Sequence, residues 1–104
     1  NYNPALTISD KKFHFPSEFL DNQIRVLSER IGRDKDDIEA LLLRGGFYLE
    51  LGRYTDAIED FKAILVRDPN HLFARLNLAG TRMKMYDYIE SVEEKTSRGV
   101  GEDK

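Results

Sequence analysis

The sequence predicts an all-α fold, with about five helices arranged as antiparallel hairpins that stack into a short superhelix. Three observations predict it. Apolar residues recur at spacings of three and four in successive segments, which places them on one side of a helix. Helix-ending residues fall between those segments, at Gly32, Gly52 and Asp68-Pro69-Asn70, and leave only short connections. Along the middle of the chain, residues match those 34 positions later, the mark of stacked units that cannot bury an apolar face alone. Strand signals are absent from the pattern.

Residues 1–16 carry two prolines and scattered apolar residues, Ile8, Phe13 and Phe15, and read as an extended lead-in. A helical domain is expected over residues 17–97. Its first helix starts at Pro16-Ser17, carries Leu20, Ile24, Leu27 and Ile31 on one face, and stops at Gly32. Asp36 or Asp37 is expected to cap the second helix, with Glu39 completing a capping-box-like pair, and Gly52 to end it. The third helix, capped by Thr55 or Asp56, presents Ala57, Ile58, Phe61, Ile64 and Leu65 and ends before Pro69. Asn70 is expected to cap the fourth, whose face is Leu72, Leu76, Ala79, Met83 and Tyr86, and Asp87-Tyr88-Ile89-Glu90 to open a short fifth. Residues 98–104 form a polar tail.

Composition narrows the function classes. The net charge is -3, with acidic and basic residues intermingled, so no basic stripe exists to attract phosphate backbones and nucleic-acid binding is not expected. The absence of cysteine removes disulfides, thiol catalysis and zinc-thiolate sites. No apolar run approaches the ~20 residues that span a bilayer, so membrane insertion is not expected. The chain opens Asn1-Tyr2-Asn3-Pro4 without an initiator Met or signal-like region, which suggests a fragment or processed product, with the cytoplasm as the default address.

At the 34-residue offset, Ile24 falls on Ile58, Leu27 on Phe61, Ile31 on Leu65 and Asp34 on Asp68. Ile38 falls on Leu72, Ala40 on Ala74, Leu42 on Leu76 and Gly46 on Gly80. Within residues 38–71 stand Gly45 and Tyr48 on one helix, Gly52 and Tyr54 at a turn, Ala57 and Phe61 on the next helix, and Pro69 near the end. This segment resembles a tetratricopeptide repeat. It departs from the family pattern at Leu41, Arg44 and Ile64, where Trp, Leu and Ala types are preferred. The segment after it is a poorer copy: Leu78 and Ala79 fit, whereas Arg75, Arg82, Tyr86, Ser91 and Lys95 do not. The helix from Ser17 to Ile31 resembles the second helix of a preceding partial repeat.

The resemblance implies a non-enzymatic interaction module whose first helices line a concave groove for a peptide or helix of a partner protein. The matching positions are Glu39, Leu42, Gly46, Leu49 and Glu50 in the good repeat, and Phe73, Leu76, Asn77, Gly80, Met83 and Lys84 in the next. Leu42 and Gly46 stand where the branch that clamps acidic chaperone tails needs Lys and Asn, so an apolar or amphipathic partner fits better. A stripe such as Leu42, Leu49, Leu76 and Met83 is also what a plain packing core looks like. In a rotated frame, Leu72, Leu76, Ala79, Met83 and Tyr86 form a packing seam, and the groove receives the protein's own Phe13 or Phe15. Too few repeats for a closed core make self-association through the Leu20-Ile24-Leu27-Ile31 or Leu72-Leu76-Ala79-Met83 seam the alternative function, giving a homodimer.

Catalytic and cofactor signals are thin, and no cofactor or metal is expected. His14 and His71 are far apart in sequence and lack a neighbouring nucleophile or a His-Glu helix motif. Asp34-Lys35-Asp36-Asp37 lacks the glycine and closing glutamate of a calcium loop and reads as a linker with a helix cap. Gly45-Gly46 is not followed by a Gly-Lys-Ser/Thr phosphate cradle. The adjacent carboxylates Glu59-Asp60 and Glu93-Glu94 read as solubility residues. The adjacent glycines raise their own question, since each costs a helix about 1 kcal/mol relative to Ala. Gly45 is expected to let the hairpin helices approach, opposite Ala57, and Gly46 to leave a gap on the concave side.

Overall fold

The computed structural model describes residues 15–102, with side chains through residue 96. The expected extended segment, with Phe13 and His14, lies outside these except for its last two residues. Four helices follow one another: α1 (Ser17–Arg33), α2 (Ile38–Glu50), α3 (Tyr54–Arg67) and α4 (Leu72–Glu102). No strand occurs among the described residues. Each helix packs on the next, and α2 also touches α4, so the short connections fold the chain into antiparallel hairpins stacked side by side.

The core lies between α2, α3 and α4. Leu41, Ala57, Phe61, Ile64, Ala74 and Leu78 are buried there, and Ile31, Ile38, Leu42, Tyr48, Leu49, Ile58 and Leu65 pack around them. On α1 the expected stripe holds, with Leu20, Ile24 and Leu27 buried. The helix does not stop at Gly32 but runs one residue further, and the extended backbone of Asp34 ends it.

The 34-residue period reappears in the backbone as a repeated junction. Asp34 N–H donates to the Arg30 carbonyl at 3.0 Å, and Asp68 N–H to the Ile64 carbonyl at 2.8 Å. Asp37 N–H then reaches back to Asp34 O at 3.1 Å, and His71 N–H to Asp68 O at 3.0 Å. The Asp34 and Asp68 side chains each accept from the backbone two residues on, closing matching Asx turns. The next helix is then capped by Asp37, which accepts from Ala40 N–H at 3.0 Å, and by His71, whose Nδ1 accepts from Ala74 N–H at 3.1 Å. His71, not Asn70, is therefore the cap of α4: the Asx turn at Asp68 uses Asn70 as a turn residue and delivers the free acceptor one position later.

Inside the repeat the connection is tighter. Gly52 adopts φ +78, Arg53 N–H donates to Tyr48 O at 2.8 Å and Gly52 N–H to Leu49 O at 3.0 Å. This is a Schellman cap, and it needs a left-handed residue at that position. Because the turn feeds directly into α3, the helix begins at Tyr54, ahead of the expected caps Thr55 and Asp56, and no side chain caps it. Asp56 lies in the first turn, where it accepts from Arg53 at 2.9 Å.

Gly45 and Gly46 separate cleanly. A Cβ on Gly45 would lie 2.6 Å and 2.9 Å from the edge of the Phe61 ring, so the close approach is to Phe61 rather than Ala57. A Cβ on Gly46 would meet nothing within 4 Å. The largest difference from expectation is at the end: α4 does not break at Asp87 into a fifth helix but continues unbroken to Glu102.

Candidate functional site

The exposed side of α2 carries Glu39, Leu43, Gly46 and Glu50, which share one face by their spacing of three and four residues. Leu42 and Phe47 flank it, half-buried. Leu42, Gly46 and Glu50 come together with Leu43, Phe47 and Phe15 around a surface pocket of about 260 Å³. The absent side chain at Gly46 makes its floor. Phe15, just before α1, stacks on Phe19 with ring centroids 5.1 Å apart and forms the pocket's other wall. The rotated frame offers Phe13 or Phe15 as an insert for this groove; Phe13 lies outside the described residues, and Phe15, 57% exposed, lines the pocket and leaves it open.

Of the other expected groove positions on α2, Leu49 turns toward the core, where it is half-buried. Glu39 is exposed and accepts from Arg30 at 3.1 Å. The same guanidinium bonds both Asp37 oxygens at 3.0 and 3.1 Å, so Arg30 joins the end of α1 to the start of α2. These hydrogen bonds, to Glu39 first and then Asp37, raise the Arg30 pKa above the usual guanidinium range. Asp37 is held below the usual carboxylate range, chiefly by Ala40 N–H and secondarily by Arg30. The run Asp34 to Asp37 is thus a turn, an ion pair from Asp36 to Arg67 and a helix cap.

On α4 four of the six expected groove residues are exposed. Phe73, Leu76 and Met83 are 62%, 60% and 68% exposed, Lys84 is exposed, and Asn77 and Gly80 are half-buried. Phe73 meets the His71 ring edge-on at 6.4 Å. Gly80, like Gly46, has open space where a Cβ would stand. The α4 residues do not line the Gly46 pocket, whose walls are α2 and the start of α1.

The rotated frame is corrected by the same helix. Leu72, Leu76, Met83 and Tyr86 are each at least 60% exposed, and Ala79 is exposed, so this stripe is no seam among the described residues. The face that α4 turns inward is Ala74, Leu78 and Thr81.

Two features escaped the sequence reading. Leu43 and Phe47 line the pocket, as four-residue spacing beside Gly46 could have indicated. Asp60 is not a solubility residue: it is 4% exposed and takes a two-pronged pair from Arg44, Nη2 to Oδ1 at 2.7 Å and Nε to Oδ2 at 2.8 Å. Arg44 also donates to Ser28 Oγ at 2.9 Å, tying α1, α2 and α3 together. Its departure from the preferred Leu is explained by this partner, and the hydrogen bond to Asp60 raises its pKa above the usual range. Among the described residues, no three or more His, Asp and Glu side chains stand close enough to hold a metal ion. No described helix is long and apolar enough to cross a membrane.

The remaining signature residues occupy structural places. Ala57 and Phe61 are fully buried in the core, and Pro69 sits exposed in the α3–α4 connection. Tyr48 lies under the guanidinium groups of Arg53 and Arg44, at 4.7 and 5.5 Å from its ring centre. Tyr54 meets Tyr88 at 6.4 Å.

Comparison with known proteins agrees with this geometry. A family model described as tetratricopeptide repeat matches residues 38–81. Tetratricopeptide repeat protein 14 of Mus musculus is 38% identical over 60 residues, which cover 58% of this chain and 8% of that protein. No solved structure matches the chain significantly. Residues 38–81 are thus similar to the tetratricopeptide repeat, and the repeated junction, the Schellman turn at Gly52 and the Gly45–Phe61 contact fit that likeness.

Proposed function

We propose that the chain binds an apolar or amphipathic segment of a partner protein along the face of α2 that holds Gly46. Tetratricopeptide repeats mediate protein–protein interaction, and the geometry here supports an apolar ligand. The observation that carries the reading is the Gly46 pocket. Its floor is bare backbone, its walls are Leu42, Leu43, Phe47 and Phe15, and Glu50 stands at its edge as a polar anchor. A pocket with apolar walls and a single charged group takes an apolar side chain and orients it by one polar contact.

The test is Gly46→Leu. Nothing lies within 4 Å of the added Cβ, so the variant folds, and its side chain occupies the floor. Peptides selected from a displayed library against the unmodified chain are expected to carry apolar residues at helical spacing. Gly46→Leu is expected to weaken them at least about 10-fold, as loss of one pocket-filling contact does. A folded Gly46→Leu protein that binds the selected peptides as tightly as before refutes the pocket.

A further inference from the structure

The 34-residue period carries Ile38, Leu42, Gly45, Leu49 and Gly52 onto Leu72, Leu76, Ala79, Met83 and Tyr86. On α2, Ile38, Leu42 and Leu49 are packed against the core and Gly45 lies on the Phe61 ring. On α4 the same positions are in the open, with Leu72 62%, Leu76 60%, Met83 68% and Tyr86 63% exposed. They lie on the side of α4 opposite to Ala74, Leu78 and Thr81, which face the body. The helix is therefore apolar on two opposite sides, and only one side is covered by the chain's described residues. Its own continuation does not supply a cover. At the positions of Ala57 and Phe61 it carries Ser91 and Lys95, both exposed, and it runs straight on instead of turning back.

We propose that a second copy of this chain covers the stripe, with the two α4 helices parallel and in register. The spacing 72, 76, 79, 83, 86 alternates four and three, the a/d rhythm of a two-stranded coiled coil sustained over two heptads. Paired in register, the stripe meets itself, and Ala79 at its centre lets the helices come close. In that arrangement Arg82 occupies a g position and Asp87 the following e position, so the Arg82 of each copy meets the Asp87 of the other. An antiparallel pair brings the two Arg82 side chains onto the same flank, like against like. The stripe ends where the a and d positions become Glu90 and Glu93, so the paired segment stops at Tyr86 and the acidic ends diverge. Each face offers several hundred Å² of apolar surface, more than isolated exposed residues give, and two together reach about the 1,000 Å² at which specific interfaces begin. The dimer is accordingly weak and concentration-dependent.

Sedimentation equilibrium of the 104-residue chain is expected to show a mass rising with concentration from 12.1 kDa toward twice that value. Ala79→Glu, at an exposed position, is expected to keep the helical circular dichroism of the parent and to raise the dimer dissociation constant about 30-fold or more. Arg82→Glu is expected to weaken the dimer and Arg82→Glu with Asp87→Arg to restore it. Since the chain has no cysteine, Tyr86→Cys reads the orientation directly: parallel helices give a disulfide between the two copies under mild oxidation. Gly46→Leu is expected to leave self-association unchanged, which separates this face from the peptide pocket. A chain that stays monomeric at every concentration overturns the proposal and leaves the stripe to a different protein. A dimer indifferent to Ala79→Glu, or one that gives no Tyr86→Cys cross-link, overturns it equally.

Discussion

The two adjacent glycines allow a test in which one methyl group is added at two neighbouring positions of one helix. Gly→Ala in a helix interior raises stability by about 0.8–1.0 kcal/mol through propensity alone, and this contribution is common to both variants. At Gly46 nothing stands within 4 Å of the new Cβ, so the gain is kept: Gly46→Ala is expected to be about 1 kcal/mol more stable than the parent. At Gly45 the new Cβ meets Phe61 Cε1 at 2.6 Å, Cζ at 2.9 Å and Cδ1 at 3.1 Å, all inside ordinary contact distance. The ring cannot swing clear, because it is fully buried among Leu41, Ala57, Ile64, Ala74 and Leu78. Overpacking of this kind costs about 1–3 kcal/mol, and a contact this short belongs at the upper end. Gly45→Ala is therefore expected to lose about 1–2 kcal/mol net, placing the two variants about 2–3 kcal/mol apart. In a domain of this size that is a difference of about 10 °C or more in Tm. Urea unfolding followed by circular dichroism gives both values. Phe61→Leu combined with Gly45→Ala is expected to show coupling of at least about 0.5 kcal/mol, since a smaller side chain makes room for the methyl. If Gly45→Ala matches Gly46→Ala in stability, the Gly45–Phe61 contact does not set the spacing of the hairpin.

Three further outcomes follow from the same contacts. Arg44→Ala leaves the buried Asp60 carboxylate without its partner and is expected to cost about 3 kcal/mol in urea unfolding, whereas Arg44→Met with Asp60→Leu stays within about 1 kcal/mol of the parent. Gly52→Ala forces a side chain into φ +78 and is expected to cost about 1–2 kcal/mol, with Asn tolerated better, again read from the unfolding midpoint. The Asp37 carboxyl has its pKa lowered by folding, so its contribution is present above the ordinary carboxylate pKa and is lost as pH falls through the lower folded value. Asp37→Asn, which still caps the helix, is expected to flatten the acid limb of a plot of Tm against pH below about pH 4, and an unchanged limb refutes the assignment.

What the sequence made legible depended on whether a signal was local. The stripe Leu20, Ile24, Leu27, the left-handed turn at Gly52 and the stop before Pro69 are set by residues within one helical turn of each other, and the structure has all three. The caps were harder. Asp37 is a strong acceptor on sequence grounds alone, but at α4 the Asx turn at Asp68 shifts the register by one residue and makes His71 the acceptor, which needs the turn geometry to see. Asp60 has its partner sixteen residues away on another helix, and a carboxylate beside Glu59 on a polar stretch carries no local mark of burial. Gly45 is a close-approach residue on sequence grounds, but its neighbour is Phe61 and not Ala57, since the two lie one turn apart on the same face of α3 and only the packed structure chooses. Of the candidate groove, Leu42, Gly46 and Glu50 meet at one pocket, while the role of Phe15 as its other wall depends on how α1 is entered.

The unbroken α4 has a physical cause that also explains its exposed face. In residues 38–71 the chain turns because Gly52 can take a positive φ, and because Ala57 and Phe61 give the returning helix a face to bury. The equivalent residues downstream are Tyr86, Ser91 and Lys95. A tyrosine in the left-handed region costs about 1–2 kcal/mol, so the turn is disfavoured at the position where the period asks for it. A returning helix with Ser and Lys at its packing positions would recover little of that, so continuing the helix is the lower-energy outcome. Turn and packing face are lost together, and the apolar residues from Leu72 to Tyr86, which in the preceding copy meet α3 and α4, keep their spacing without a partner inside the chain's described residues. Restoring only one element should therefore leave the helix straight. Tyr86→Gly removes the backbone penalty but still offers the returning segment nothing to bury, so closing the second hairpin requires apolar residues at 91 and 95 as well.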